Sequence, residues 1–373
     1  MNVDVTQLLQ AHPRALLQML PRRASASCLW RARRLMDQPV PMSKAVPESP
    51  HSVVLADPGA LLQRLQSENG KDRLALVEQL KALAQPKTLL IPQAKHWQQL
   101  LALHEQLPHQ KMWMDQVLNR VKLQVATQQP LKLSPTLLAG PPGNGKSHLL
   151  HQVAEVFGVP TLEIQLGGNA DNLSLIGTSR HWGSASPGKL ALFMARCEVA
   201  NPLILLEEVD KSGLGQHGWT LDIILMLLEP ENACRFEDKF VDVPIDLSYC
   251  SFLATANQTD YLPAPLLSRF QICPVHAPKA REWPVIVQKL YQALRLRDGR
   301  AQLFAEELPL EVMEALLANC GSIRELRLRL EQGFDAALGK FDSPQALQAC
   351  AGNLLPEPPE PQAANNARRM GFV

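Results

Sequence analysis

The chain has 373 residues, of which 46% are apolar, and its 37 basic and 36 acidic side chains leave a formal net charge of +1. A chain this long and this apolar can bury a full core and more than one domain, which excludes the disordered class. Balanced charge gives no global signal for nucleic acid or an acidic membrane surface, and no apolar run is long enough to cross a bilayer.

Residues 5–36 place leucines at helical spacing among arginines. The start lacks the apolar centre of a secretory signal. Its arginines also fit a mitochondrial transit peptide, but Asp4 and the prolines fit a folded helical segment as well. Prolines 39, 41, 47, 50 and 58 mark a linker near residues 38–58. Beyond it, Leu76, Val77, Leu80 and Leu83 line one face of a helix. Residues 1–103 read as a mostly helical N-terminal region that carries no recognisable motif.

From residue 104 to 277 short apolar runs (PTLLAG, PTLEIQL, NPLILLEEVD, SFLATAN) alternate with longer helical stretches. That alternation is the pattern of an α/β fold with a parallel sheet between helices. Residues 278–340, with WPVIVQKLYQALRL and SIRELRLRLEQGFDAAL, read as a small helical domain, and the Pro-rich stretch 341–373 as a flexible tail. The seven cysteines are scattered without a C-x-x-C pair, which points to reduced thiols and a cytoplasmic protein. His148 and His151 lie one helical turn apart, but no third ligand stands near them, so they read as surface histidines rather than a metal site.

Gly140, Pro141, Pro142, Gly143, Asn144, Gly145, Lys146 and Ser147 satisfy G-x-x-x-x-G-K-[ST], with an apolar strand before them and a helix after them. Gly143 and Gly145 let backbone N–H groups turn around phosphates, and the helix N-terminus favours the anion. The pattern assigns Lys146 to the β- and γ-phosphates and the Ser147 hydroxyl to Mg²⁺. The ligand it implies is a nucleoside triphosphate. Downstream, PLILLEEVDK is a buried strand that ends in two carboxylates. Glu207 stands where a carboxylate supports the metal, and Glu208 where a base activates water.

The ordered set GPPGNGKS, LGGNADNLSLIGTSRHWGSASPGK, NPLILLEEVDK, LLEPEN and LPAPLLSRF resembles the ATPase module of Lon proteases over residues 130–335. The resemblance implies an AAA+ P-loop domain with a helical lid, ATP and Mg²⁺ as ligands, and a homohexameric ring. It implies that Asn257 is sensor 1, that Arg269 is the arginine finger reaching a neighbouring subunit, and that Arg324 is sensor 2, with Arg327 and Arg329 as neighbouring choices. It aligns Trp182 with the aromatic of the first pore loop, and the SGLGQHGWT segment, with Trp219, with the second pore loop.

Three departures stand out. Glu207 replaces an aspartate. Trp113 replaces a small residue in KMWMDQVLNRV, residues 111–121, where the family contacts the base. No peptidase motif follows the lid. The expectation is an ATP-hydrolysing ring that remodels protein partners. Two alternatives are a nucleic-acid-directed ATPase using the arginines of residues 14–34, and a slow nucleotide-dependent assembly switch.

Overall fold

The computed structural model describes residues 52–66, 74–167, 172–180, 185–212, 214–215, 218–349 and 352–358. Five parallel strands form its centre: β1 (Thr136–Ala139), β2 (Thr161–Gln165), β3 (Leu203–Glu207), β4 (Ser251–Ala256) and β5 (Gln271–Pro274). Their order across the sheet is β5-β1-β4-β3-β2. Every residue of β3 and of β4 is buried, as expected for strands covered on both faces.

Successive side chains divide between two cores. Leu137, Ile204, Leu206, Phe252 and Ala254 face one of them, while Leu138, Leu203, Leu205 and Leu253 face the other. This is the period of two of a strand, read here on both sides of one sheet. Helices α1 (Pro58–Gln66), α2 (Leu74–Lys81), α6 (Lys189–Arg196) and α7 (Thr220–Leu228) fill the first core. Helices α3 (Ala94–Gln106), α4 (Lys111–Thr127) and α5 (Lys146–Phe157) fill the second. The result is an α/β sandwich of three layers.

Residues 52–103 differ from the sequence expectation of a separate N-terminal region. Leu61, Leu65, Val77, Leu80 and Leu83 lie in the same core as the sheet, and Leu100 and Leu103 lie in the other. The Asn201 side chain ties this segment down: it accepts from the Leu90 N–H at 2.8 Å and donates to the carbonyls of Leu90 and Leu131, each at 3.0 Å. The apolar face of α2 was legible, but the surface it covers was not. The expected helix over residues 5–36, and most of the linker, lie outside the described residues.

After the sheet, α8 (Trp283–Arg295), α9 (Leu310–Leu317) and α10 (Ile323–Leu338) enclose a third core. Its centre is aromatic, with Tyr291 stacked on Phe334 at 5.6 Å and Phe304 edge-on to Phe334 at 4.6 Å. Part of the expected flexible tail packs here. Residues 344–349 are helical, Leu354 exchanges backbone bonds with Leu303 and Ala305, and the Glu357 N–H donates to Gly333 O at 3.0 Å. A Cβ on Gly333 would meet Glu357 O at 2.4 Å, so the absent side chain is what admits the strap.

Candidate nucleotide site

The P-loop leaves the end of β1, where Gly140 N–H donates to Ala256 O of β4 at 3.1 Å. It closes on α5, whose N-cap, Gly145, has φ 80°, a left-handed value that a side chain would strain. Lys146 is 7% exposed, and its Nζ donates to Gly140 O at 2.7 Å, Pro141 O at 3.0 Å and Asn257 Oδ1 at 3.1 Å. Burial lowers its pKa, while the carboxylates of Asp210 and Glu207 act in the opposite direction. The ammonium is therefore held by neutral oxygens at the mouth of the loop.

Glu207, 3% exposed, ends β3. Its Oε2 accepts from Ser147 Oγ at 2.6 Å and from Thr255 Oγ1 at 2.6 Å. Its Oε1 is buried and has no hydrogen-bond partner among the described residues. The glutamate thus spans to the P-loop hydroxyl, and its unpartnered oxygen together with that hydroxyl forms a donor set suited to Mg²⁺. Glu208 follows at φ 56°, with its N–H donating to Thr255 Oγ1 at 3.1 Å and its carboxylate paired with Lys211 at 2.7 Å. A Cβ on Gly167 would lie 2.4 Å from Glu208 Oε2, so that glycine leaves room for the carboxylate.

The lid meets the loop at α10. The Arg324 N–H donates to Gly143 O at 3.0 Å, and a Cβ on Gly143 would sit 3.1 Å from the Arg324 Cβ. Among the arginines of this helix, Arg327 pairs with Glu331 and Arg329 with Glu325, whereas the Arg324 side chain makes no hydrogen bond or ion pair among the described residues. Ser322 caps the helix by accepting from the Glu325 N–H at 3.2 Å.

Between α5 and α8 opens a cleft of about 100 Å³, lined by Leu107, Gln110, Gly145, His148, Ile286 and Lys289 among others. His109 Nδ1, Gln110 Oε1, Gln152 Oε1 and Lys289 Nζ, all on residues of this cleft, are buried and have no hydrogen-bond partner among the described residues. Gln110 also donates to Asn144 O at 3.0 Å, which ties the cleft to the loop. Trp113, in contrast, is 3% exposed and packs in the core under α4. Of the cleft's lining, Gln106, Leu107, His109 and Gln110 come just before the 111–121 segment.

The structure brings Lys146, Ser147, Glu207, Glu208, Asn257 and the backbone of Arg324 around one loop. Arg269 stands apart from them and pairs with Glu229 of the same chain. Trp182 lies outside the described residues, and of Trp219 only the backbone is described, in a short hairpin where it pairs with Leu214. Sequence reasoning missed Thr255, Gln110 and Glu229. Thr255 was visible as the hydroxyl two residues before Asn257 in FLATANQ.

The family model for "ATPase family associated with various cellular activities (AAA)" matches residues 136–274. A mitochondrial Lon protease homolog of Emericella nidulans is 34% identical over 210 residues, which is 55% of this chain and 19% of that protein. The corresponding protein of Rattus norvegicus is 34% identical over 212 residues, 56% of this chain and 22% of that one. A Lon protease of Lachnoclostridium phytofermentans is 38% identical over 138 residues, covering 37% and 17% respectively. The chain therefore spans about a fifth of the length of these relatives. A closed-state cryo-electron microscopy structure of Hsp104 with ATPγS and casein matches with a TM-score of 0.55 at 16% identity, covering 66% of this chain and 48% of that one. That likeness concerns the fold. The chain thus has the parallel sheet and P-loop of the AAA+ fold, and it is similar to the AAA family over residues 136–274 and to these Lon proteases over about half of its length.

Proposed function

We propose that the chain binds ATP with Mg²⁺, hydrolyses it in a homohexameric ring, and uses the energy to remodel protein partners in the cytoplasm. The observation that carries this reading is a pair of hydrogen-bonded sets at the P-loop, Lys146 with Asn257 and Glu207 with Ser147 and Thr255. Lys146 exchanges its carbonyl partners for phosphate oxygens. Ser147 and Glu207 hold the metal, which supplies charge neutralisation when bound. Glu208 leaves Lys211 and takes a proton from the attacking water, which Asn257 orients. The water oxygen bonds to the γ-phosphorus and ADP departs. Arg324 reports the nucleotide to the lid, and Arg269 serves the neighbouring subunit's site.

The cleft between α5 and α8 takes the base. Its unpartnered Gln110 Oε1 and Lys289 Nζ offer one acceptor and one donor to a base edge. Residues 104–277 form the nucleotide domain, joined by the packed segment 52–103, and residues 278–340 form the lid. Trp182 and Trp219 are the candidate pore aromatics that grip polypeptide through apolar area rather than specific bonds.

The experiment is a set of three variants. Lys146→Ala should abolish ATP binding. Glu208→Gln should bind ATP yet turn over at least a hundredfold less, on the order expected for removal of a general base. Trp182→Ala should keep basal turnover and lose stimulation by an unfolded protein. Stimulation by DNA in place of unfolded protein contradicts the choice of partner.

A further inference from the structure

The LLEPEN segment, residues 227–232, spans the end of α7 and the turn that follows it. Its Glu229 directly follows α7, and Asn232 lies in the single helical turn Pro230–Ala233. That turn closes on Glu229 itself, whose carbonyl accepts from the N–H of Asn232 at 3.0 Å and of Ala233 at 2.8 Å. Glu229 Oε1 accepts from Arg269 Nε at 2.7 Å and also from Arg269 Nη2. Its Oε2 accepts from Asn232 Nδ2. Arg269 Nη1 donates to Pro265 O at 2.8 Å.

Both sides of this bracket are rooted in the core. Leu228 and Ala233 flank Glu229 and are 6% and 1% exposed; Leu266 and Phe270 flank Arg269 and are 1% and 5% exposed. The paired side chains themselves are 37% and 30% exposed, so the ion pair adds little to stability. Its effect is orientation. A free arginine loses about 2 kcal/mol of rotamer entropy when it is fixed, and a partner that fixes it beforehand removes that cost from the moment of use. Carboxylate and carbonyl hold three N–H groups of the guanidinium, one each on Nε, Nη2 and Nη1, out of its five. Nη1 has a further, long contact with Ser268 Oγ at 3.5 Å, and the remaining donor on Nη2 can turn toward an incoming anion.

We propose that Glu229, fixed by Asn232, is the positioning residue of Arg269 and pre-orients its guanidinium for the γ-phosphate in the adjacent subunit. This rests on the assignment of Arg269 to a neighbour's site.

The test mixes subunits. Lys146→Ala subunits cannot bind ATP and serve only as arginine donors, while Arg269→Ala subunits bind ATP and serve only as acceptors. Equal mixing should restore turnover, with particle mass showing that rings form. Adding Glu229→Ala to the donor should cut that rescue roughly ten- to hundredfold, the scale of a misplaced catalytic group. Adding it to the acceptor should change nothing further. Glu229→Asp in the donor should keep part of the rescue. Asn232→Ala, which frees Glu229 without removing it, should cut the rescue less than Glu229→Ala, and it remains informative if Glu229→Ala does not fold. Donors with Glu229→Ala that rescue fully, or that raise turnover, overturn the inference. Failure of the parent pair to rescue while rings form overturns the role of Arg269 itself.

Discussion

The Thr255 hydroxyl has two tasks, donating to Glu207 Oε2 at 2.6 Å and accepting from the Glu208 N–H at 3.1 Å. Thr255→Val keeps the strand but leaves that N–H without its partner, so unfolding free energy should fall by about 1–3 kcal/mol. Denaturant melts should show that loss, and turnover should fall while ATP affinity changes little. Lys289 offers a second test. Burial lowers its pKa from 10.5, and its buried ammonium has no hydrogen-bond partner among the described residues. Between the lowered folded value and the ordinary one the unfolded chain holds more protons, so stability rises with pH across that window. Lys289→Met should flatten this rise and increase Tm at neutral pH, because an apolar side chain of similar length replaces an uncompensated buried charge. Cysteines give a third test. Burial pushes Cys250 up to about 12 and Cys197 up to about 11, so at pH 8 an alkylating reagent should label half-exposed Cys234 before these two and reach Cys250 only on unfolding. The P-loop groups were legible in the sequence because strand, glycines, lysine and serine follow one another directly. The roles of Glu229 and Gln110 were not, since their partners lie 40 and 34 residues away; the Thr255 hydroxyl stood in view in FLATANQ, but its bond to Glu207, 48 residues away, did not.

At the scale of elements, helix α10 joins two functions. Its first turn meets the P-loop through Arg324 and Gly143, and its far half receives the strap of residues 352–358 at Gly333. Gly333→Ala should gain roughly 1 kcal/mol of helix propensity but lose more, because the new methyl group displaces Glu357 from backbone contact. A lower Tm and faster proteolysis near residue 355 are the expected readings; a higher Tm would mean that the strap does not bear on the lid. The helical pattern of α10 was plain in SIRELRLRLEQGFDAAL, but which of its arginines faces the loop was not. Three arginines at near-helical spacing are equivalent until acidic partners are placed, and Glu331 and Glu325 engage two of them. The strap escaped the sequence reading for a different reason. A Pro-rich composition disfavours helix and sheet, yet it permits a short extended segment that borrows backbone bonds from Leu303, Ala305 and Gly333.

At the scale of the whole molecule, the sheet order β5-β1-β4-β3-β2 puts β1 and β3 on either side of β4. The P-loop after β1, the carboxylates at the end of β3 and Asn257 after β4 therefore converge at the carboxyl ends of the three central strands. The alternation of strands and helices announced this fold, and four of the five central strands were readable as apolar runs; β5, the short segment QICP, was not. The attachment of residues 52–103 was not readable, because an amphipathic helix states that it packs but not against what. Arg269 pairs with Glu229 rather than with the P-loop of its own chain, and under the proposed ring it would serve a neighbour's site. An arginine supplied in trans is worth about 10³–10⁵ in rate, so hydrolysis should depend steeply on assembly. The most direct measurement is ATP turnover per subunit across a range of protein concentrations, with particle mass recorded in the same samples. Turnover should rise with the population of rings and drop to near zero in the monomer, and Arg269→Ala should flatten the curve without abolishing ATP binding. Turnover per subunit that is the same in monomers and in assembled particles would contradict the account.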